Sequence, residues 1–190
     1  MLDGILERLR PRATQRNILL LLAVFLVINA GLLPMFGARL EALSGGIGPL
    51  DLRAAYTATE AYAALAAFGQ EGRLLYLLML VTVDVIYPAV SAAFFSLTIL
   101  YCLEPVLPGG HVWQRAALLP WLNMLADWAE NAGLSVLVLN YPHRLDGLAT
   151  FTSTVTTIKW IFAFSAMAAT AAALVAFLVQ RVRARRAGSA

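Results

Sequence analysis

AALLPWLNMLADWAENAGLSVLVL, residues 116–139, is long and apolar enough in bulk to cross a bilayer, yet it carries Asn123, Asp127, Glu130 and Asn131. A spanning helix needs about 20 mostly apolar residues. Ionisable groups inside one are costly and mark a functional site or a packing lock. Their spacing is helical. Asn123, Asp127, Asn131 and Ser135 follow an i, i+4 row with Glu130 beside it, so one face of a helix collects the polar groups. That face should turn away from lipid.

The rest of the chain follows the same plan. Apolar runs at about Asn17–Phe36, Leu74–Leu103 and Phe151–Val179 flank this segment. The 190 residues are 61% hydrophobic and 13% charged, against about 25% charged in a soluble domain. The expected fold is an all-α integral membrane protein: a single domain, residues 1–190, forming a four-transmembrane-helix bundle with spans at about 17–36, 74–103, 116–139 and 151–179. Arg8, Arg10, Arg12 and Arg16 precede the first run, and Arg181, Arg183, Arg185 and Arg186 follow the last. Basic residues beside spans stay in the cytoplasm. Both tails, 1–16 and 180–190, are therefore expected there, with the spans in a bacterial inner membrane. The first run reads as an uncleaved anchor, because it is long and Asn29-Ala30-Gly31 is a poor cleavage site.

The connection 37–73 then lies outside, and the turn from Glu104 to Arg115 lies inside. Thr57-Ala58-Thr59-Glu60 has the form of a capping box, in which hydroxyl and carboxylate satisfy the first backbone donors of a helix. A short interfacial helix over about 58–68 is expected, ending at Gly69, with Tyr62, Leu65 and Phe68 as its apolar stripe.

At 1.5 Å per residue, Lys159 lies roughly 12 Å and Asp84 roughly 15 Å below the outer helix ends, with Glu130, Asn131 and Asn29 near the same level and Asp127 one turn deeper. All four helices thus contribute to one polar layer. Asp84, Tyr87 and Ser91 share a face of the second span, and Thr152, Thr156 and Lys159 share a face of the fourth. Pro88 lacks the N–H that would bond the carbonyl four residues earlier, and that carbonyl belongs to Asp84. Three carboxyls face one lysine, so full ionisation would leave two negative charges uncompensated, and at least one acid is expected to hold a proton.

Several chemistries are excluded. One cysteine, Cys102, cannot form an internal disulfide. His111 and His143 fall on opposite sides of the expected membrane, so no metal site and no cofactor are expected. Gly45-Gly46-Ile47-Gly48 lacks the lysine of a phosphate loop. The basic tails abut apolar helices without interleaved aromatics, so no nucleic acid is expected as partner.

The candidate catalytic residues are Asp84, Asp127, Glu130 and Lys159. The candidate substrate-binding residues are Asn29, Tyr87, Asn123, Asn131, Thr156 and, at the outer interface, Arg144. Buried carboxyls of this kind suit acid/base work on a membrane lipid or lipid-like small molecule reaching a pocket that opens to the outer leaflet. A proton- or ion-coupled transporter is a second reading, although the inner halves of three spans offer almost no polar path. The third is a scaffold whose polar layer is a packing clamp, with possible homo-oligomer contacts through the small-residue face Ala163, Ala166, Ala169, Thr170 and Ala173 of span four. In span count, internal termini and outward acids the arrangement is similar to lipoprotein signal peptidase, but it departs from that family in the residues before Asp84 and Asp127.

Overall fold

The computed structural model describes residues 2–187, and these are all-helical in class, 85% helix with no strand among them. Helix α1 (Leu2–Leu9) leads through a short 3-10 turn to a long rod made of α2 (Gln15–Val27), a π-helical turn (Ile28–Leu32) and α3 (Leu33–Ser44). Helix α4 (Ala58–Ala67) is the connector. A second rod is α5 (Gly69–Val81) and α6 (Val83–Leu103). After a 3-10 segment at Val112–Leu118 come α7 (Leu119–Asn140) and the 42-residue α8 (Asp146–Ala187). Helix α7 packs between α6 and α8, α5 also touches α7, and α2 packs mainly on α6.

Three helical stretches are long and apolar enough to cross a membrane: Gln15–Ser44, Gly69–Leu103 and Asp146–Ala187. Helix α7, the segment expected as span three, is not among them, because its polar row lowers its average. The rods also outrun the apolar runs. The first continues to Ser44 and ends on Gly45, whose φ of 71° takes the left-handed conformation glycine tolerates. The last continues through the arginines to Ala187. Residues 188–190 of the expected C-terminal tail lie outside the described residues.

The N-terminal stretch is not a loose tail. Leu6 and Ala13 are buried with Leu97, Leu100, Leu103, Ala117 and Ala173. Arg10 donates to Gln114 Oε1 at 2.5 Å. Both chain ends therefore lie at one end of the molecule. In the same cluster Ala173 is buried within the chain, as are Ala166 and Thr170, so this part of the small-residue face of α8 serves internal packing.

The second rod departs from the expected continuous helix. It breaks at Thr82, whose φ and ψ are −122° and −84°. Val81, Thr82 and Val83 are consecutive β-branched residues, poorly suited to a helix interior. The Thr82 hydroxyl donates to the Leu78 carbonyl, one of the local bonds by which such residues bend helices. Pro88, in contrast, sits inside α6.

The α4 cap forms as its residues dictate. Thr57 Oγ1 accepts from the Glu60 N–H at 3.2 Å, and Glu60 Oε2 accepts from the Thr57 N–H at 2.7 Å. Helix α4 buries Ala61, Tyr62, Ala64 and Leu65, followed by Phe68, in a core shared with Leu40, Tyr76, Leu134 and Leu137. The Thr57 hydrogen bonds hold the Glu60 carboxyl below its usual range. A carboxyl depressed in the folded state stabilises above its ordinary titration range and loses that contribution as pH falls through its lowered value. Thr57→Ala should cost about 1 kcal/mol. Thermal unfolding in detergent measures this, and the deficit should narrow in acid as the native cap itself weakens.

Candidate functional site

The inward turn of every polar row is what the helical spacing requires. Asp84 and Ser91 on α6, Asp127, Glu130 and Asn131 on α7, and Thr152, Thr156 and Lys159 on α8 are all buried. Their outward neighbours are apolar: Leu122, Leu125, Val136 and Leu139 on α7 are exposed, as are Ile161 and Phe164 on α8.

Lys159 is the hub. Its Nζ lies 2.5 Å from Glu130 Oε2, donates to the Asp51 carbonyl at 3.0 Å, and lies 3.8 Å from Asp127 Oδ1. Glu130 Oε1 accepts from the Thr156 hydroxyl at 2.6 Å. Thr156 stands three residues before Lys159 on α8, so one helix face supplies both partners. The interface is tight. A Cβ on Gly133 would run into the Thr152 side chain, so glycine there lets α7 and α8 approach.

Asp51 was not expected here. It stands in the connection between the first two rods, in a 3-10 turn at Leu50–Leu52, yet it is buried and accepts from the Tyr76 hydroxyl at 2.7 Å. Helix α8 holds this connection along its length. Ser153 Oγ accepts from the Tyr56 N–H, while Thr157, Lys159 and Trp160 donate to the carbonyls of Ala54, Asp51 and Arg53. The hydroxyls at Ser153 and Thr157 thus fasten a strap over the polar layer. The sequence signal for Asp51 is the apolar pair around it, Leu50 and Leu52, after Pro49.

The carbonyl that Pro88 leaves without its helical donor has a tertiary one. Asn131 Nδ2 donates to the Asp84 carbonyl at 2.9 Å, and Trp128 Nε1 donates to the Val85 carbonyl at 3.0 Å. Helix α7 therefore supplies two donors to the irregular start of α6.

Beside this clamp lies a cavity of about 400 Å³. Phe25, Asn29 and Leu33 of the first rod line one side, and Lys159, Trp160, Ala163 and Met167 of α8 the other. Asp84, Asp127 and Asn123 face it from α6 and α7, and Pro49, Asp51 and Leu52 of the strap border it. Asn29, in the π-helical turn, donates to the Tyr87 hydroxyl at 2.9 Å. Such turns re-aim side chains and recur at functional sites. Asp84 Oδ2 and Asn123 Oδ1 are buried with no hydrogen-bond partner in the protein.

The structure thus brings Asp84, Asp127, Lys159, Asn29, Tyr87 and Asn123 to one cavity. Glu130, Asn131 and Thr156 belong to the adjoining clamp and do not line it. Arg144 belongs to neither. It pairs with Asp146 at 2.9 Å and stacks on the Tyr62 ring, remote from the polar layer, because a local acid two residues on captures it. Among the described residues no cluster of histidine, cysteine and carboxylate side chains could hold a metal ion. Comparisons with protein-family models, with curated proteins and with solved structures each find no match to this chain.

Removing one partner of a buried ion pair strands the other charge and costs about 3–5 kcal/mol, whereas replacing both with apolar groups is far milder. Lys159→Met should therefore lower the thermal unfolding midpoint steeply, and Lys159→Met with Glu130→Leu should recover much of the loss. An additive double variant would show that the two groups do not act as a pair.

Proposed function

We propose that this chain is a four-span membrane protein that binds a lipid-like molecule in the cavity between the first rod and α8, and uses Asp84 and Asp127 for proton transfer to and from it. One observation carries the reading: two buried carboxyls, one with an unpartnered oxygen, face a cavity of about 400 Å³ whose other walls are largely apolar. Buried polar atoms are normally hydrogen-bonded, so an unpartnered one in a cavity wall is suited to a ligand.

The fourth span rests on the faces of α7 rather than on its average. Its polar side chains are buried and its outward face is Leu122, Leu125, Val136 and Leu139. Large exposed apolar faces are unusual for a protein surface in water. The first rod shows the same inversion, with Leu19, Leu20, Leu26 and Val27 exposed. Four rods, consecutive ones running in opposite directions, make the bundle, and α4 lies against its far end, at the membrane surface. The arginine-rich chain ends face the cytoplasm.

Within this reading the polar layer divides its work. Glu130, Lys159 and Thr156 fix α7 against α8, and Asn131 fixes α6. Asp84 and Asp127 meet the substrate, with Asn123, Asn29 and Tyr87 placing its polar group. Phe25, Phe95 and Met167 accept its apolar part. Because α2 packs mainly on α6, the gap between α2 and α8 is the lateral entry from lipid. Below the cavity, Leu97, Ile99, Leu100 and Ala173 are packed together, which supports a closed-bottomed pocket over a transport path.

Asp84→Asn keeps size and hydrogen bonding and should fold like the native chain. Asp127→Asn gives up its ion pair with Lys159 but leaves Glu130 and the Asp51 carbonyl on that ammonium, so it should fold with a lowered unfolding midpoint. Mass spectrometry of lipid extracts should show a lipid-like compound enriched with native protein. Cells carrying either variant should convert it about 10²-fold or more slowly, the usual weight of a general acid or base. Ala163→Phe, which fills the cavity, should abolish the enrichment. Undiminished enrichment in that variant would place the ligand elsewhere.

A further inference from the structure

We infer that the polar group recognised in this cavity is a hydrogen-bond donor carrying positive charge: an amine head on an apolar tail. The inference rests on the binding role proposed above and specifies its ligand. The one cation among the described residues of the cavity wall is already committed, and the donors left there, on Asn123 and Tyr87, are neutral. The Lys159 ammonium is within hydrogen-bond distance of Glu130 Oε2 and the Asp51 carbonyl, and its charge is shared with Asp127 Oδ1 at 3.8 Å. The Asn29 amide is engaged with the Tyr87 hydroxyl. Trp160 Nε1 is given to Arg53 and Tyr76 Oη to Asp51.

Acceptors are left over. Asp84 is 5% exposed, lines the cavity and keeps Oδ2 without a partner. Asn123 Oδ1, also in the wall, is likewise unpartnered. A phosphate or carboxylate head brings only acceptors and negative charge, and would meet carboxyls with no ammonium to spare. An alcohol can donate once but leaves the charge imbalance untouched. An amine head supplies two or three donors and one positive charge beside Asp84 and Asp127. Charge-assisted bonds of this type are about twice as strong as neutral ones. Phe25, Phe95 and Met167 in the wall suit the alkyl chain.

The test is native mass spectrometry of the full chain, released from maltoside detergent, with equal concentrations of dodecylamine, dodecanol and dodecyl phosphate. Dodecylamine should be retained about tenfold or more over each of the others, a margin set by one charge-assisted bond. Asp84→Asn should reduce that preference by a similar factor, and Ala163→Phe should remove retention. Dodecyl phosphate retained preferentially, or dodecanol matching the amine, would overturn the amine assignment and leave the lipid-binding cavity standing. Retention of none of the three would overturn the cavity reading itself. The ligand series on the native chain decides between these results even if a variant fails to fold.

Discussion

A lysine ammonium enclosed by protein has to be neutralised and hydrogen-bonded where it stands, and in this chain that requirement draws three separate segments together. Glu130 comes from α7, the Asp51 carbonyl from the strap between the first two rods, and Lys159 itself from α8. The connections continue outward. Thr156 holds the other oxygen of Glu130, and Tyr76 of α5 holds the Asp51 carboxylate. Buried ion pairs contribute little net stability once desolvation is counted, but breaking one is expensive. A pair of this kind therefore acts mainly on register: arrangements that leave Lys159 or Glu130 alone are disfavoured. Helices α7 and α8, which carry the pair, are continuous, whereas the first two rods are interrupted. They are the straight edge against which irregular pieces are set.

The irregular pieces are the turn at Ile28–Leu32, the break at Thr82 and the proline at position 88. Each lies within two residues of a side chain that lines the cavity, Asn29, Asp84 or Tyr87. Non-helical backbone at membrane depth is tolerated only where protein or a cavity satisfies its polar groups. Asn131 and Trp128 meet that condition for α6 by donating to the Asp84 and Val85 carbonyls. The break and the proline bracket Asp84, so its carbonyl is bound by α7 while its carboxyl faces the cavity. A regular helix would have spent that carbonyl internally and given Asn131 nothing to hold.

Much of this was legible because burial in an apolar segment is a severe filter. Asp84, Asp127, Glu130 and Lys159 stood out against their surroundings, and helical spacing placed them on inward faces that the structure reproduces. The free carbonyl at Asp84 followed from Pro88 alone, and the α4 cap from Thr57 and Glu60. What escaped has physical causes. Asp51 sits in a stretch with Arg39, Glu41, Arg53 and Glu60, where a charge reads as solvated; its carboxyl partner Tyr76 is 25 residues away and Lys159, on its carbonyl, is 108 residues away. The donors that α7 sends to the Asp84 and Val85 carbonyls come from Asn131 and Trp128, more than 40 residues away, which no local pattern reveals. Arg144 was drawn toward the site by its position near an apolar boundary, whereas its partner is the nearby Asp146. Averaged hydropathy leaves α7 outside the three candidate spans because the polar residues concentrated on its inward face lower the average.

The clamp and the cavity are not alternatives. An apolar slot lined by Asp84 and Asp127 would tend to collapse or admit lipid chains at random unless its walls were held apart at fixed spacing. Glu130 and Lys159 supply that spacing from the α7–α8 seam, Asn131 from the α6–α7 seam, and the strap from above. In doing so they engage the Lys159 ammonium, and this leaves the charge at the cavity one-sided. Negative charge is left at the wall because the Lys159 ammonium is holding the frame. The selectivity expected of the cavity therefore follows from how the bundle is held together, rather than from side chains added to it.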